Sequence, residues 1–151
     1  MREGGNLLSQ AHQLSGRVFS RVLKECQLDD INPSQGRILY ALWKNNGVSQ
    51  SELAEMTKLD KSSLALTLDR LEADGWVERR THPTDSRKKT VHSSEKTTVL
   101  YEQYERASRK MTEIFYRGIG EAERDRFEET LCLIIRNLDT SLYSTKEDTG
   151  Q

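Results

Sequence analysis

Between Asn32 and Ser94, helix-start and helix-stop signals alternate at short range and then give way to two β-prone runs. This order restricts the fold more than any other property of the chain. Asn32 is a good N-cap, Pro33 stands at the first helical position, and Gln35 sits where a capping box closes. The helix opened there, "PSQGRILYALWKN", reaches about Asn46, and Gly47 stops it. "VSQSELAEM" starts another helix, with Ser49 and Glu52 at capping-box spacing. It is short, because Thr57–Asp60 reads as a turn. Asp60 then caps "KSSLALTLDRLEAD", which Gly75 ends. "WVERR" and "RKKTVHS" are β-prone and flank the loop "THPTDS".

Two short helices joined by a tight turn and followed by a hairpin make a winged helix-turn-helix. The second helix of such a pair lies in the major groove, so its inner face must be apolar and its outer face small or polar. At about 100° per residue, Leu64, Leu68 and Leu71 fall together toward a core. Ser62, Leu66, Asp69, Arg70 and Ala73 fall on the far side, flanked by Lys61 and Ala65. Small hydroxyls at a helix N-terminus, beside a lysine, suit phosphate oxygens. Leu66 is out of place among them. It reads either as a contact to a thymine methyl in the major groove or as a patch that packs elsewhere.

The hairpin concentrates charge. From Arg79 to Lys89 there are five cations and one anion in eleven residues, although the whole chain balances 23 Lys+Arg against 24 Asp+Glu. Arg79 and Arg80 are expected to end the first strand, and Arg87, Lys88 and Lys89 to open the second, with Pro83 stiffening the tip. Such a hairpin beside a groove-reading helix follows the phosphate backbone or inserts an arginine into the minor groove. Asp85, two residues from Arg87, is placed to hold that side chain in one pose. Charge runs elsewhere are usually solvated faces; here the preceding helix-turn-helix argues for nucleic acid.

Outside this lobe the period stays helical. Gln10–Glu25 carries Ala11, Leu14, Val18 and Val22 on one stripe. After Ser94 a second stripe holds Leu100, Tyr104, Ala107, Met111 and Ile114. Gly118 and Gly120 interrupt it, and a last helix carries Phe127, Leu131, Ile134, Leu138 and Leu142. The fold expected is mainly α (α+β). A winged helix-turn-helix lobe spans 31–93, a dimerisation helix 1–30, further dimerisation helices 94–143, and a disordered tail 144–151. With only 34% hydrophobic and 31% charged residues, a core shared with a second copy is expected. From Glu121 to Gln151 there are eight acids and four bases, unsuited to phosphate contact.

The stretch Ile31–Val91 resembles the MarR family of transcription regulators. It carries that family's D-x-R wing signature at Asp85-Ser86-Arg87 and its end-of-helix and strand pattern in "LDRLEADGWVERR". The resemblance implies a homodimer whose first and last helices interlock, and two winged lobes on successive major grooves of a pseudo-palindromic operator. It implies a repressor, released when a small, often aromatic molecule binds between dimer base and DNA lobe. It places Ser62, Ser63, Ala65 and Leu66 toward bases and Arg87 in the minor groove. With Ser49, Lys61, Arg70, Asp85, Lys88 and Lys89 these make up the expected DNA-binding set, and Tyr40 and Trp43 are candidate ligand residues. The family often has Ser or Thr followed by Arg where this chain has Ala65 and Leu66. It also has a glycine where Thr97 follows Ser94-Glu95-Lys96.

No nucleophile triad, phosphate loop, dinucleotide fingerprint or paired-carboxylate site is readable, so no enzyme and no cofactor are expected. His12, His82 and His92 lack ligand spacing for a metal. Cys26 and Cys132 have no adjacent cation cluster and read as packing residues. No apolar run long enough for a membrane span or a secretory signal is present, so an intracellular, cytoplasmic protein is expected. The rival reading is a winged-helix protein-interaction module, with Leu66 and Ala73 as its docking patch.

Overall fold

The computed structural model describes residues 1–144, as six α-helices and a three-stranded antiparallel sheet. In chain order these are α1 (Gly4–Glu25), α2 (Pro33–Lys44), β1 (Val48–Ser49), α3 (Gln50–Thr57), α4 (Lys61–Ala73), β2 (Val77–Thr81), β3 (Lys89–Ser93), α5 (Thr98–Phe115) and α6 (Glu121–Ser144), with a 3-10 turn at Glu95–Thr97 before α5. The architecture is the mainly helical winged helix-turn-helix expected. Ser144 closes α6 instead of opening a tail, and the rest of the expected tail lies outside the described residues. The chain divides into two compact units, Met1–Thr112 and Glu113–Gln151.

The helix starts follow their caps. The Asn32 carboxamide accepts the Gln35 N–H at 2.8 Å while the Gln35 side chain accepts the Asn32 N–H at 3.1 Å. Ser49 and Glu52 form the same reciprocal pair ahead of α3. Asp60 accepts the Ser63 N–H at 2.8 Å ahead of α4. Each cap satisfies backbone donors that would otherwise be orphaned at a helix start.

Three elements depart from expectation. First, α1 begins at Gly4, not near Gln10, and no side chain caps it; two glycines and an uncapped first turn hide such a start. Secondly, Val48 and Ser49 form β1, paired with Val91 and Thr90 of β3, in a stretch expected to be wholly helical. Gly47 makes this possible, since it turns the chain with φ +80° and donates its N–H to Val91 O at 3.0 Å. Thirdly, the strands are shorter than their β-prone runs. The β2–β3 register runs from Val77↔Ser93 to Thr81↔Lys89, so Arg87 and Lys88 belong to the turn and only Lys89 opens the strand.

Within Met1–Thr112 the core is contiguous and apolar. Leu64, Leu68 and Leu71 of α4 are fully buried, as are Ile38, Leu39 and Leu42 of α2, Leu53 of α3 and Val91 of β3. The helical stripe read from the sequence is therefore the face that holds α4 to its lobe. Burying a leucine in this way contributes about 1.5–3 kcal/mol. Behind α2, the ring of Tyr104 from α5 packs on Phe19, Tyr40 and Trp43, with centroids 5.6–5.8 Å away. Gly36 is the close-approach residue of this seam, because a Cβ there would fall 2.5 Å from Tyr104 Cε2. Burial pushes the Tyr104 hydroxyl up to about 12.

Of the expected α1 stripe, Val22 is buried and Val18 half-buried, while Ala11 and Leu14 are exposed. Only Phe19, Val22 and Leu23 are covered in α1, while Leu7, Leu8 and Leu14 stay exposed. In the second unit, Phe115, Tyr116 and Phe127 stack around the turn at Gly118, and the Tyr116 hydroxyl donates to Glu128 at 2.6 Å. No residue of α6 is buried, so the predicted stripe leaves Phe127, Ile134, Leu138 and Leu142 exposed to solvent in the single chain.

Candidate nucleic-acid interface

Helix α4 presents the outer face expected of a reading helix. Lys61, Ser62, Leu66, Asp69 and Arg70 are exposed and Ala65 is half-buried. The two N-terminal serines have different roles. The Ser63 hydroxyl donates to Asp60 Oδ2 at 2.7 Å and is part of the cap, whereas Ser62 faces outward. Hydrogen bonds from Ser63 hold the Asp60 carboxyl below its usual range, so the cap stays ionised at neutral pH.

The wing turn meets the starts of α3 and α4. An open groove of about 250 Å³ is lined by Ser49, Gln50, Ser51, Lys61, Leu64, Arg87, Lys88 and Lys89. Four cations thus share one concavity with the N-termini of two helices, and among the described residues no carboxylate lines it. Helix N-termini and cations both favour anions, so this concavity is suited to phosphate. Ser49 is occupied as a cap, accepting the Glu52 N–H at 3.1 Å.

Asp85 orients Arg87, as its spacing suggested. Its Oδ1 accepts the Arg87 backbone N–H at 3.1 Å and Nε–H at 3.2 Å, and Oδ2 accepts from Nη2 at 3.4 Å. The Arg87 side chain is nevertheless 90% exposed. It is posed but not covered, which is the state needed to enter a groove. The Arg87 guanidinium holds the Asp85 carboxyl below the ordinary aspartate value.

One of the five hairpin cations, Arg79, is not available to DNA in this way, while Arg80 keeps a side chain 55% exposed. Arg79 bonds Asp69 Oδ1 at 2.5 Å and Glu72 Oε1 at 3.1 Å, and its side chain is only 22% exposed. Arg80 pairs with Glu78 at 3.0 Å. The sequence reading made both part of the basic surface. The partners of Arg79 lie on the preceding helix, where only the fold brings them near, whereas Glu78 stands two residues before Arg80 on the same strand. What remains for phosphate is the triplet Arg87, Lys88 and Lys89, with Arg80, Lys61 and Arg70.

Tyr40 and Trp43 stand together, half-buried, on α2. The Trp43 indole N–H donates to Thr97 Oγ1 at 3.1 Å, and its ring meets Tyr101 and Tyr104 edge-on. Lys44 lies over the Tyr40 ring. Both rings are thus engaged with α5. Another open groove, of about 490 Å³, is lined by His12, Gln13, Gly16, Arg17 and Ser20 of α1, by Asn32, Pro33, Ser34 and Arg37, and by Leu59. Arg37 was not singled out from the sequence, where one arginine on a helix carries no signal. Cys26 is half-buried and Cys132 exposed, so packing describes only the first. Among the described residues no three His, Cys, Asp or Glu side chains cluster as a metal site, and no helix is long and apolar enough to cross a membrane.

A capped helix pair, an exposed reading face and a cationic wing define a winged-helix DNA-binding protein. Residues 31–89 match the MarR family model, and relatives that match over more of the chain are transcriptional regulators. It is 26% identical over 133 residues to the transcriptional repressor IacR of Pseudomonas putida, covering 88% of this chain and 78% of that one. Its fold is similar to a mutant of Escherichia coli MarR complexed with operator DNA (TM-score 0.77, 24% identity, 86% and 91% of the two chains). It is also similar to Bordetella bronchiseptica BpsR, whose DNA binding is regulated by 6-hydroxynicotinic acid (TM-score 0.78, 22% identity, 88% and 98%).

Proposed function

We propose that this chain works in the cytoplasm as a homodimeric repressor that binds a pseudo-palindromic operator and is released by a small aromatic ligand. The observation that carries the DNA reading is the carboxylate-free concavity where Lys61, Arg87, Lys88 and Lys89 meet two helix N-termini. In this reading Ser62, Ala65, Leu66 and Arg70 face base edges. Ser49, Lys61, Lys88 and Lys89 hold phosphates, Ser63 fixes the start of α4 through its bonds to Asp60, and Arg87, posed by Asp85, enters the minor groove. Dimerisation is supported by the solvent-facing Leu7, Leu8 and Leu14 of α1 and Ile134, Leu138 and Leu142 of α6. Exposed apolar side chains of this kind, on each unit taken by itself, are what a subunit interface covers.

The ligand reading rests on the groove at α1 and α2. Arg17 and Arg37 line it, and neither has a carboxylate partner among the described residues. An aromatic acid would place its carboxylate between these guanidinium groups. Tyr40 and Trp43, part of the ring cluster on α2, would transmit its presence through their packing on α5. BpsR, with its hydroxylated aromatic acid, is the relative that favours this class.

The test is a gel shift of the full chain on duplexes selected from a randomised pool, with and without added aromatic acids. Selective retardation that an aromatic acid reverses supports the whole reading. No enrichment of any sequence, together with a stable protein partner in a pull-down, would assign the lobe to protein docking instead.

A further inference from the structure

Leu66 is the exposed large apolar residue of α4, at 58% exposure, while Leu64, Leu68 and Leu71 are buried without remainder. Leaving a leucine in water forgoes the stabilisation that burial provides, so its position relative to its neighbours matters. Ser62 and Arg70 stand one turn away on either side of it, and Asp69 stands three residues on. The Asp69 carboxylate is drawn to Arg79 of β2 at 2.5 Å. That pairing offsets the nearest negative charge. Leu66 is therefore a methyl-bearing projection on a face whose free charge is cationic, next to the groove of Lys61, Arg87 and Lys88. A polyanion fits this surface better than an apolar protein groove does.

We infer that Leu66 is a specificity-determining residue that reads the C5-methyl of a thymine at one fixed position of each operator half-site. This rests on the DNA-binding reading above. The chemistry is selective. A leucine neither donates nor accepts a hydrogen bond, so any base edge made only of donors and acceptors would be desolvated without return. Of the four base-pair edges in the major groove, only that of thymine adds a methyl group. Half-buried Ala65, beside Leu66, leaves room for the backbone to approach that edge.

The experiment uses the full chain and a duplex selected by it from a randomised pool. Each thymine of the selected site is replaced singly by uracil, which removes the methyl and leaves pairing and edge polarity intact. For the unaltered chain, one thymine per half-site should weaken binding about fourfold when demethylated, the loss of one buried methyl. In Leu66→Ala that penalty should vanish at the same thymine, and in Leu66→Met it should persist. Leu66 is exposed, so neither variant disturbs the core. Uracil tolerated everywhere, a selected half-site lacking thymine, or an undiminished penalty in Leu66→Ala would overturn the inference while leaving operator binding intact. A pool that yields no enriched sequence would overturn the DNA-binding reading itself, and this inference with it.

Discussion

Glu72 of α4 holds Arg79 of β2 at both ends of the residue: Oε2 accepts the backbone N–H at 3.0 Å, and Oε1 accepts from the guanidinium at 3.1 Å. Asp69, one turn earlier on α4, takes the same guanidinium. The reading helix and the first wing strand are thereby tied at one point. Arg79→Ala removes the guanidinium part of that tie, keeps the backbone N–H bond to Glu72, and leaves two carboxylates without their cation near the expected phosphate path. Chemical denaturation should show a loss of about 1 kcal/mol, the upper range for ion pairs whose carboxylates stay open to solvent. DNA affinity should fall further than stability explains, and Asp69→Asn in the Arg79→Ala background should recover part of it.

The same cluster sets an acid limit. Hydrogen bonds from Arg79 hold the Glu72 carboxyl below the ordinary glutamate range, and Arg87 holds the Asp85 carboxyl below the ordinary aspartate range. A depressed carboxylate stabilises the fold above its unfolded pKa, and that stabilisation is lost as pH falls through the folded value. The melting temperature should therefore be insensitive to these groups from pH 6 to 8 and should drop below about pH 4.5. Glu72→Gln should flatten that acid limb. Equal acid sensitivity in the variant would assign the drop to other groups.

The seam between α2 and α5 should resist a single methyl. A Cβ at Gly36 would meet the Tyr104 ring at 2.5 Å, and that ring is held by Phe19, Tyr40 and Trp43. Overpacking of this kind costs about 1–3 kcal/mol, against a helix-propensity gain near 1 kcal/mol. Gly36→Ala should be net destabilising by urea titration. A neutral or stabilised variant would mean that the ring moves aside freely.

The exposed α6 stripe predicts self-association. Sedimentation should give about twice the 17.4 kDa chain mass, and Leu138→Glu should shift the protein toward monomer at micromolar concentration. Monomeric behaviour of the unaltered chain would remove the dimer from the proposal.

Much of this was legible beforehand. Asn32, Ser49 and Asp60 announce their helices because a cap is a local bond within four residues. Leu64, Leu68 and Leu71 declare a core face because helical period is local too. The Asp85–Arg87 pair spans two residues, and its geometry followed from that spacing. What stayed hidden depends on distance in sequence. β1 is two residues long and has meaning only beside Val91. The engagement of Arg79 needs α4 and β2 to be docked. The groove with Arg17 and Arg37 needs α1 and α2 to be packed.

The most direct measurement is operator affinity as a function of salt for the unaltered chain and for Arg87→Ala. A dimer gripping about 6–10 phosphates should give a slope of log K on log salt near −5 to −9. Arg87→Ala should weaken binding strongly and make the slope shallower by about 2, one contact per protomer. A flat salt dependence, or an Arg87→Ala protein that binds as tightly as its parent, would contradict the cationic wing as the element that grips DNA.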